Sequence, residues 1–410
     1  MSSGEPAPPG FAEADDVGSA RSAFRAWMFG HALPFWGSAG HDGPGRGARE
    51  HLRLDGTPAG VGFKRMRVQA RQVYAFSHAA LLGWQEGERL ARDGYGFITR
   101  CGRRPDGGWV RRLSADGSAV LDGAADLYDQ AFVLFALAWY ARLTRDAEPL
   151  QRARGTVEWI RAHMAAAPDG FHNAVPTEPG PRQQNPHMHL LEAVLALHET
   201  SGDAYYAAFA HELVGLFRRR LFDPATGTLG EFFTHEWLPA PGKEGGHVEP
   251  GHHYEWVWLL DRYERQTGGT ATVELDRLYQ FARAFGTDPV TGMVWDVVGR
   301  DGSVRERSAR LWPQTESLKA HAVMARRGGG DTALIPLVVR NIGTRFLAGC
   351  PVGAWVDQLD AAGAPVSDKI PTSSLYHLLM SYAELSSLAD QTLPGTRRLA
   401  AHSQPHPHVA

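Results

Sequence analysis

Apolar residues recur at spacings of three and four through most of the chain, and short glycine-bearing turns interrupt them at regular intervals. That period marks amphipathic helices. Between the turns the helical patterns come two at a time: Ala125–Leu143 with Pro149–Ala166, Pro186–Thr200 with Ala204–Leu221, His253–Thr267 with Val273–Phe285, and Pro313–Arg326 with Thr332–Leu347. Ala20–Leu33, Phe63–Trp84 and a short segment near Glu88–Phe97 precede these pairs, and Thr372–Leu388 follows them. Some segments, such as Ala131–Tyr140, are apolar nearly all round, which suits a helix covered on both sides.

The turns themselves repeat. Pro105-Asp-Gly-Gly-Trp, Pro168-Asp-Gly-Phe, Asp223-Pro-Ala-Thr-Gly, Asp288-Pro-Val-Thr-Gly and Cys350-Pro-Val-Gly share a turn signal followed by a strand-like run. Their glycines, Gly108, Gly170, Gly227, Gly292 and Gly353, lie 62, 57, 65 and 61 residues apart. Further turns at Ala115-Asp-Gly, Arg300-Asp-Gly and Ala361-Ala-Gly predict small β-hairpins. About twelve helices in pairs, joined on one side by long loops, predict an all-α (α/α)6 barrel with short hairpins at one end. An open solenoid is the alternative, but its repeats run roughly 34–47 residues and need polar caps. The expected organisation is one barrel domain over residues 17–390, with flexible tails at 1–16 and 391–410.

Composition narrows the function. Lys plus Arg total 42 against 45 Asp plus Glu, a formal charge of −3. A nucleic-acid partner would need a basic excess to neutralise phosphates. No basic segment followed by an apolar stretch opens the chain, and no apolar run reaches eighteen residues, so neither a leader peptide nor a membrane partner is expected. Two cysteines, Cys101 and Cys350, point to a reducing, cytoplasmic setting. Nineteen histidines accompany 12 Trp, 18 Phe and 11 Tyr. Three of those histidines, His402, His406 and His408, fall in the C-terminal tail.

If one set of helices lines the barrel with a common polarity, polar residues near their starts face one mouth. In Gln184-Asn-Pro-His-Met-His-Leu-Leu-Glu, Asn185 suits the cap and Pro186 the first helical position, with His189 one turn in. His189 reads equally as a hydrogen-bonded core residue. In Glu249-Pro-Gly-His-His-Tyr-Glu-Trp, His252 and Glu255 share a helix face, where a carboxylate orients an imidazole or simply completes a helix start. Trp312 precedes Pro313 and stacks on a sugar or packs; His377 occupies another helix start. Arg71 sits among apolar neighbours and needs either a carboxylate or a ligand oxygen. No HExxH zinc motif, phosphate-binding glycine loop or GxSxG elbow occurs. A glycosidase, which needs two opposed carboxylates, stays open through Asp129, Glu192, Glu255 and Glu316.

RVQARQVYAF (67–76), LYDQAF (127–132), NPHMHLLEA (185–193), PGHHYEW (250–256), RLWPQTE (310–316) and LYH (375–377) resemble, in this order, the N-acylglucosamine 2-epimerase superfamily. The likeness runs from Phe63 to Leu388, and the segment from Gly353 to Leu379 is most similar to its mannose isomerase-like branch. The resemblance implies the (α/α)6 barrel and an aldose–ketose isomerase acting on D-mannose and similar aldoses, with a sugar 2-epimerase as the alternative. It implies His252 and His377 as the acid/base pair and Arg71, Tyr128, Asn185, His189, Glu255 and Trp312 as substrate-binding residues, with His253 a mere neighbour. Proton transfer through a cis-enediolate, with Arg71 and His189 donating to the oxyanion, needs no metal or cofactor. The expected partner is a monosaccharide, and the expected assembly a monomer or homodimer.

Overall fold

The computed structural model describes residues 6–390. Its helices are α1 (Val17–Trp27), α2 (Leu33–Ser38), α3 (Met66–Leu81), α4 (Glu86–Cys101), α5 (Leu127–Thr144), α6 (Glu148–His163), α7 (Asn185–Ser201) and α8 (Ala204–Leu216). They continue with α9 (Pro250–Thr267), α10 (Thr272–Phe285), α11 (Leu311–Arg326), α12 (Leu334–Asn341) and α13 (Leu375–Asp390). A π-helical turn, Met28–Ala32, joins α1 to α2 as one helix. The inner ring α3, α5, α7, α9, α11 and α13 closes through contacts between α13 and α3, and each inner helix packs on an outer one. This is an (α/α)6 barrel.

The two rings explain the two sequence patterns. Inner α5 buries Leu127 and every residue from Asp129 to Ala141, because it is covered on both sides. Outer α4 buries only one face, including Leu90, Ala91, Phe97 and Ile98. Gly87 permits its close approach to α3, since a Cβ there would lie 2.6 Å from the Phe76 carbonyl oxygen. The turn glycines after the outer helices adopt left-handed backbone at Gly170, Gly227, Gly292 and Gly353, with φ of 74°, 75°, 73° and 90°. In the first turn that conformation belongs to Gly107 (φ 105°) and not to Gly108, its expected carrier. Phe11 and Ala14, assigned to the N-terminal tail by the sequence reading, are buried, and the Phe11 ring packs 5.9 Å from Phe24. The tail histidines lie outside the described residues.

Short strands lace the mouth of the barrel. The strand leading into each inner helix pairs antiparallel with a loop strand of the next repeat: Phe63–Arg65 with Arg112–Ser114, Ala125–Asp126 with Ala174–Val175, and Arg182–Gln183 with Phe232–Phe233. His247–Val248 pairs with Val297–Gly299, and Ala309–Arg310 with Gln358–Leu359. The circle closes where Ile370–Pro371 meets His51–Leu52. All six inner helices therefore begin at the same end.

A second device fixes that end. The third or fourth residue of five inner helices clamps the backbone of the preceding turn. Gln69, Gln130 and Gln314 each donate to and accept from one residue's backbone, at Ala48, Trp109 and Val294. His187 and His253 accept at Nε2 from the Phe171 and Leu229 amides, 3.1 Å each. Among the described residues, no helix is long and apolar enough to cross a membrane.

Candidate active site

The clamps and ladders put the polar residues of successive inner helices at matched depths. His252 and His377 lie two residues into α9 and α13, whereas Arg71, His189, Glu255 and Glu316 lie four or five residues into theirs, about 3–5 Å deeper along the axis. A cavity of about 280 Å³ opens there, lined by Arg71, Tyr128, Asn185, His189, Glu255 and Trp312 together with His252 and His377. Glu249, Arg310, Asp357, Pro371, Ser373 and Ser374 complete its wall. Residues spread over more than three hundred positions of sequence thus share one pocket.

Each pocket histidine is held by a carboxylate at Nδ1. His252 lies 3.0 Å from Glu231, His377 2.8 Å from Glu316, and His189 2.9 Å from Glu192. In each ring this leaves Nε2 as the nitrogen available to a ligand. The environments differ. Burial opposes charge on His252, but Glu231 and Glu249 outweigh it and raise the ring to about 9. His377 is driven well below its ordinary value by burial and by the cations Arg71 and Lys319. Burial likewise lowers His189 to about 4, against the pull of Glu192.

The partner carboxylates correct one expectation. Glu255 was expected to orient a histidine, but its nearest imidazole nitrogen is His189 Nδ1 at 3.9 Å, and Glu231 holds His252 instead. Glu255 Oε1 is buried without a hydrogen-bond partner, and burial beside Glu316 pushes its carboxyl well above the usual range. Asn185 gives a second correction. Gln184 occupies the cap position of α7, Asn185 is the first helical residue, and its buried Oδ1 has no partner. The Gln184 side chain instead donates to Glu231 and accepts from the Trp256 indole.

Arg71 has no carboxylate partner among the described residues. Its guanidinium lies 4.1 Å from the centroid of the Phe132 ring and 5.0 Å from that of Tyr376, donates to the Tyr128 hydroxyl at 2.7 Å, and leaves a buried Nε unbonded. Of the two partners the sequence allowed it, only a ligand oxygen is left. The Trp312 indole lies between the acid/base candidates, 4.9 Å from the His252 ring and 5.8 Å from His377. Gly251 makes that position accessible, since a Cβ there would stand 2.6 Å from the indole.

Beneath the floor lies buried Lys319, 2.6 Å from Glu316 and 4.0 Å from the centroid of the Trp258 ring. The carboxylates of Glu316, Glu255 and Glu192 keep it charged against the cost of burial. His189, Glu192 and Glu255 have their ligand atoms within 4.8 Å of one another, a spacing open to a metal ion. His189 and Glu192 are already bonded to each other, however, and Tyr376 also donates to Glu192 at 2.5 Å. Three of the four carboxylates that kept a glycosidase open are engaged within the protein. Asp129 is bonded to Arg67, Glu192 to His189 and Tyr376, and Glu316 to His377 and Lys319.

Residues 47–381 match the sequence model of the N-acylglucosamine 2-epimerase (GlcNAc 2-epimerase) family. The chain belongs to this family. A mannose-6-phosphate isomerase of Rhizobium meliloti (strain 1021) is 37% identical over 369 residues, covering 88% of this chain and 95% of that protein. A D-mannose isomerase of Thermobifida fusca is 27% identical over 340 residues, covering 76% and 81%. The solved cellobiose 2-epimerase of Bacillus thermoamylovorans superposes with a TM-score of 0.80 at 20% identity, covering 91% of this chain and all of that one. This member of the N-acylglucosamine 2-epimerase family is accordingly a sugar isomerase or epimerase.

Sequence reasoning missed Glu231, Glu316 as a histidine partner, and Lys319. Glu316 stands in the RLWPQTE segment and was weighed only as a glycosidase carboxylate. Glu231 sits in a loop, 21 residues before His252, with no helical spacing to betray it.

Proposed function

We propose that this protein interconverts D-mannose and D-fructose, with similar aldoses as further substrates, by proton transfer between C2 and C1 of the open-chain sugar. The observation that carries this reading is a pair of histidines facing one cavity, each held at Nδ1 by a carboxylate and pushed in opposite directions by its surroundings. Groups whose surroundings push their pKa values apart are suited to acid and base roles. Lys319 pairs with Glu316 and opposes the burial that raises its carboxyl, and His377, donating Nδ1–H to that carboxylate, presents the Nε2 lone pair. That nitrogen removes the C2 proton. His252, held as an imidazolium against Glu231, offers Nε2–H to the carbonyl oxygen at C1. The cis-enediolate then takes the proton back from His377 at C1. The hydroxyl proton at O2 passes to the His252 Nε2 that protonated O1, so that C2 becomes the carbonyl of the ketose and both rings are restored.

Arg71 supports the developing oxyanion, since it is charged, desolvated and free of a carboxylate. The inner-helix starts add partial positive charge at the same mouth. His189 takes a different part from the one expected. With Nδ1–H committed to ionised Glu192, its Nε2 accepts a sugar hydroxyl proton and does not donate. Glu255, its carboxyl raised well above the usual range by burial, is the neighbouring candidate donor, and Trp312 offers a face for the sugar ring.

The rim favours an unphosphorylated sugar. Arg310 is engaged by both Glu249 (2.8 Å) and Asp296 (3.0 Å), and Asp357 adds a further carboxyl to the wall. The test is incubation of mannose, glucose and mannose 6-phosphate in D2O with NMR detection. Deuterated fructose from mannose is the expected result. Glucose without fructose supports a 2-epimerase, and preferential turnover of the phosphate ester overturns the rim argument.

A further inference from the structure

Glu231 does not itself line the cavity, yet it is the centre of a buried chain of hydrogen bonds that ends at His252. The Trp256 indole N–H donates to Gln184 Oε1 at 3.0 Å, and Gln184 Nε2 donates to Glu231 Oε2 at 2.9 Å. Both Glu231 oxygens stand 3.0 Å from His252 Nδ1. The chain crosses from α9 to the start of α7, then to the loop between Thr228–Leu229 and Phe232–Phe233, and back to α9. All four residues are at least 95% buried. The loop is pinned on its other side by His253, which accepts from the Leu229 amide. The Gln184 backbone N–H also donates to the Glu231 carbonyl. Glu231 therefore has almost no freedom to follow a moving imidazole.

We propose that Glu231 is the positioning residue of the proton donor: tethered by Gln184 and Trp256, its carboxylate fixes the His252 ring with Nε2 towards the sugar and supplies the countercharge of the imidazolium. This rests on the reading of His252 as the acid. A carboxylate hydrogen-bonded to an imidazole sets both its tautomer and its basicity. The other groups facing His252 do not replace it. Glu249, the cap residue just before α9, lies 4.0 Å from Nδ1 and is shared with Arg310 and His247. Burial raises the Glu255 carboxyl well above its usual range, while Glu316 is paired with Lys319 and His377. His189 is neutral and adds no countercharge. Without Glu231, the buried ring loses its directly bonded anion, and burial alone disfavours the imidazolium.

The test compares the wild type with Glu231→Gln and Glu231→Asp, using the full chain. Two readouts are needed: NMR titration of the His252 ring without substrate, and the pH dependence of kcat and KM for mannose. Glu231→Gln is expected to lower kcat about 10–100-fold, as loss of an outer hydrogen-bond partner of a functional histidine does, with KM little changed. The His252 titration and the high-pH limit of activity both move down from about 9 towards the ordinary value near 6.5. Glu231→Asp recovers part of each effect, and it serves as the test if the Gln variant does not fold. An unmoved titration in either folded variant overturns the proposal, whatever happens to kcat, since a purely structural role would affect stability alone. The titration also separates the two hypotheses. A wild type that does not turn over mannose refutes the substrate reading while leaving the Glu231–His252 coupling measurable.

Discussion

His252 and His253 are neighbours in sequence, both buried on the first turn of α9, and both grip the same loop of the preceding repeat. Their chemistry is nevertheless opposite. His253 uses both ring nitrogens on backbone groups, the Glu249 carbonyl at 3.3 Å and the Leu229 amide at 3.1 Å, and burial lowers it to about 3. His252 uses one nitrogen on a carboxylate, keeps the other for the pocket, and is raised to about 9. Burial acts most strongly on both rings and in the same direction, so it does not distinguish them. In this pair the surrounding charges do: His253 has only the Glu249 carbonyl to offset burial, whereas His252 has the carboxylates of Glu231 and Glu249, without the cations that lower carboxylate-bonded His377. His187 and His189, two residues apart on α7, divide along a similar line between a backbone clamp and a pocket residue held by a carboxylate.

The comparison breaks most sharply under deletion. His252→Ala and His377→Ala are each expected to cost about 10²–10⁴-fold in kcat, the usual worth of an acid/base group, with the fold intact by circular dichroism. Activity within threefold of wild type in either variant refutes the assignment. The pH profile sharpens it next. His377 must be unprotonated and His252 protonated, so kcat/KM for mannose should hold across neutral pH. It should fall above about 9 as His252 loses its proton, and on the acid side only below the ordinary histidine value near 6.5. An alkaline limit near 6.5 would mean that Glu231 and Glu249 do not charge the ring. His253→Ala belongs to a different measurement. It strands the buried Leu229 amide at about 1–3 kcal/mol, so the thermal midpoint drops while kcat per folded molecule changes little. The smallest effect is expected from His253→Gln, because glutamine does the same work at Gln69, Gln130 and Gln314. Its midpoint should stay close to wild type, whereas His252→Gln should be inactive; equal losses in both would erase the distinction.

The architecture was legible because it depends on signals local in sequence. A 3.6-residue period and turn glycines near sixty-residue intervals are enough to place paired helices, and the common polarity of the inner ring then gathers their starts. Tyr128, His189, His252 and His377 were found through helix position or motif resemblance for that reason. What stayed hidden depends on contacts between repeats. Glu231 gains its meaning only when the loop before α9 folds against α7, and Lys319 looked like an ordinary helical lysine until α11 proved buried all round. The cap was misplaced at Asn185 because asparagine is the better capping residue by propensity. The structure moves the cap to Gln184, whose side chain answers to Glu231 and Trp256 and frees Asn185 for the cavity.

The circle of strand ladders has a bearing on when the enzyme comes into being during synthesis. Its last link joins Ile370–Pro371 to His51–Leu52, more than three hundred residues apart, immediately before the helix that brings His377. Closing so long a loop is entropically costly and slow. A chain emerging from the ribosome can assemble most of the inner wall, with Arg71, His189 and His252 in their repeats, while the wall is still open at one seam. Only when the final helix docks against both ends does the pocket gain His377, the proposed base. The nascent protein is then chemically silent until almost its whole length has been made, and a product cut short before residue 370 has neither the seam nor the second histidine.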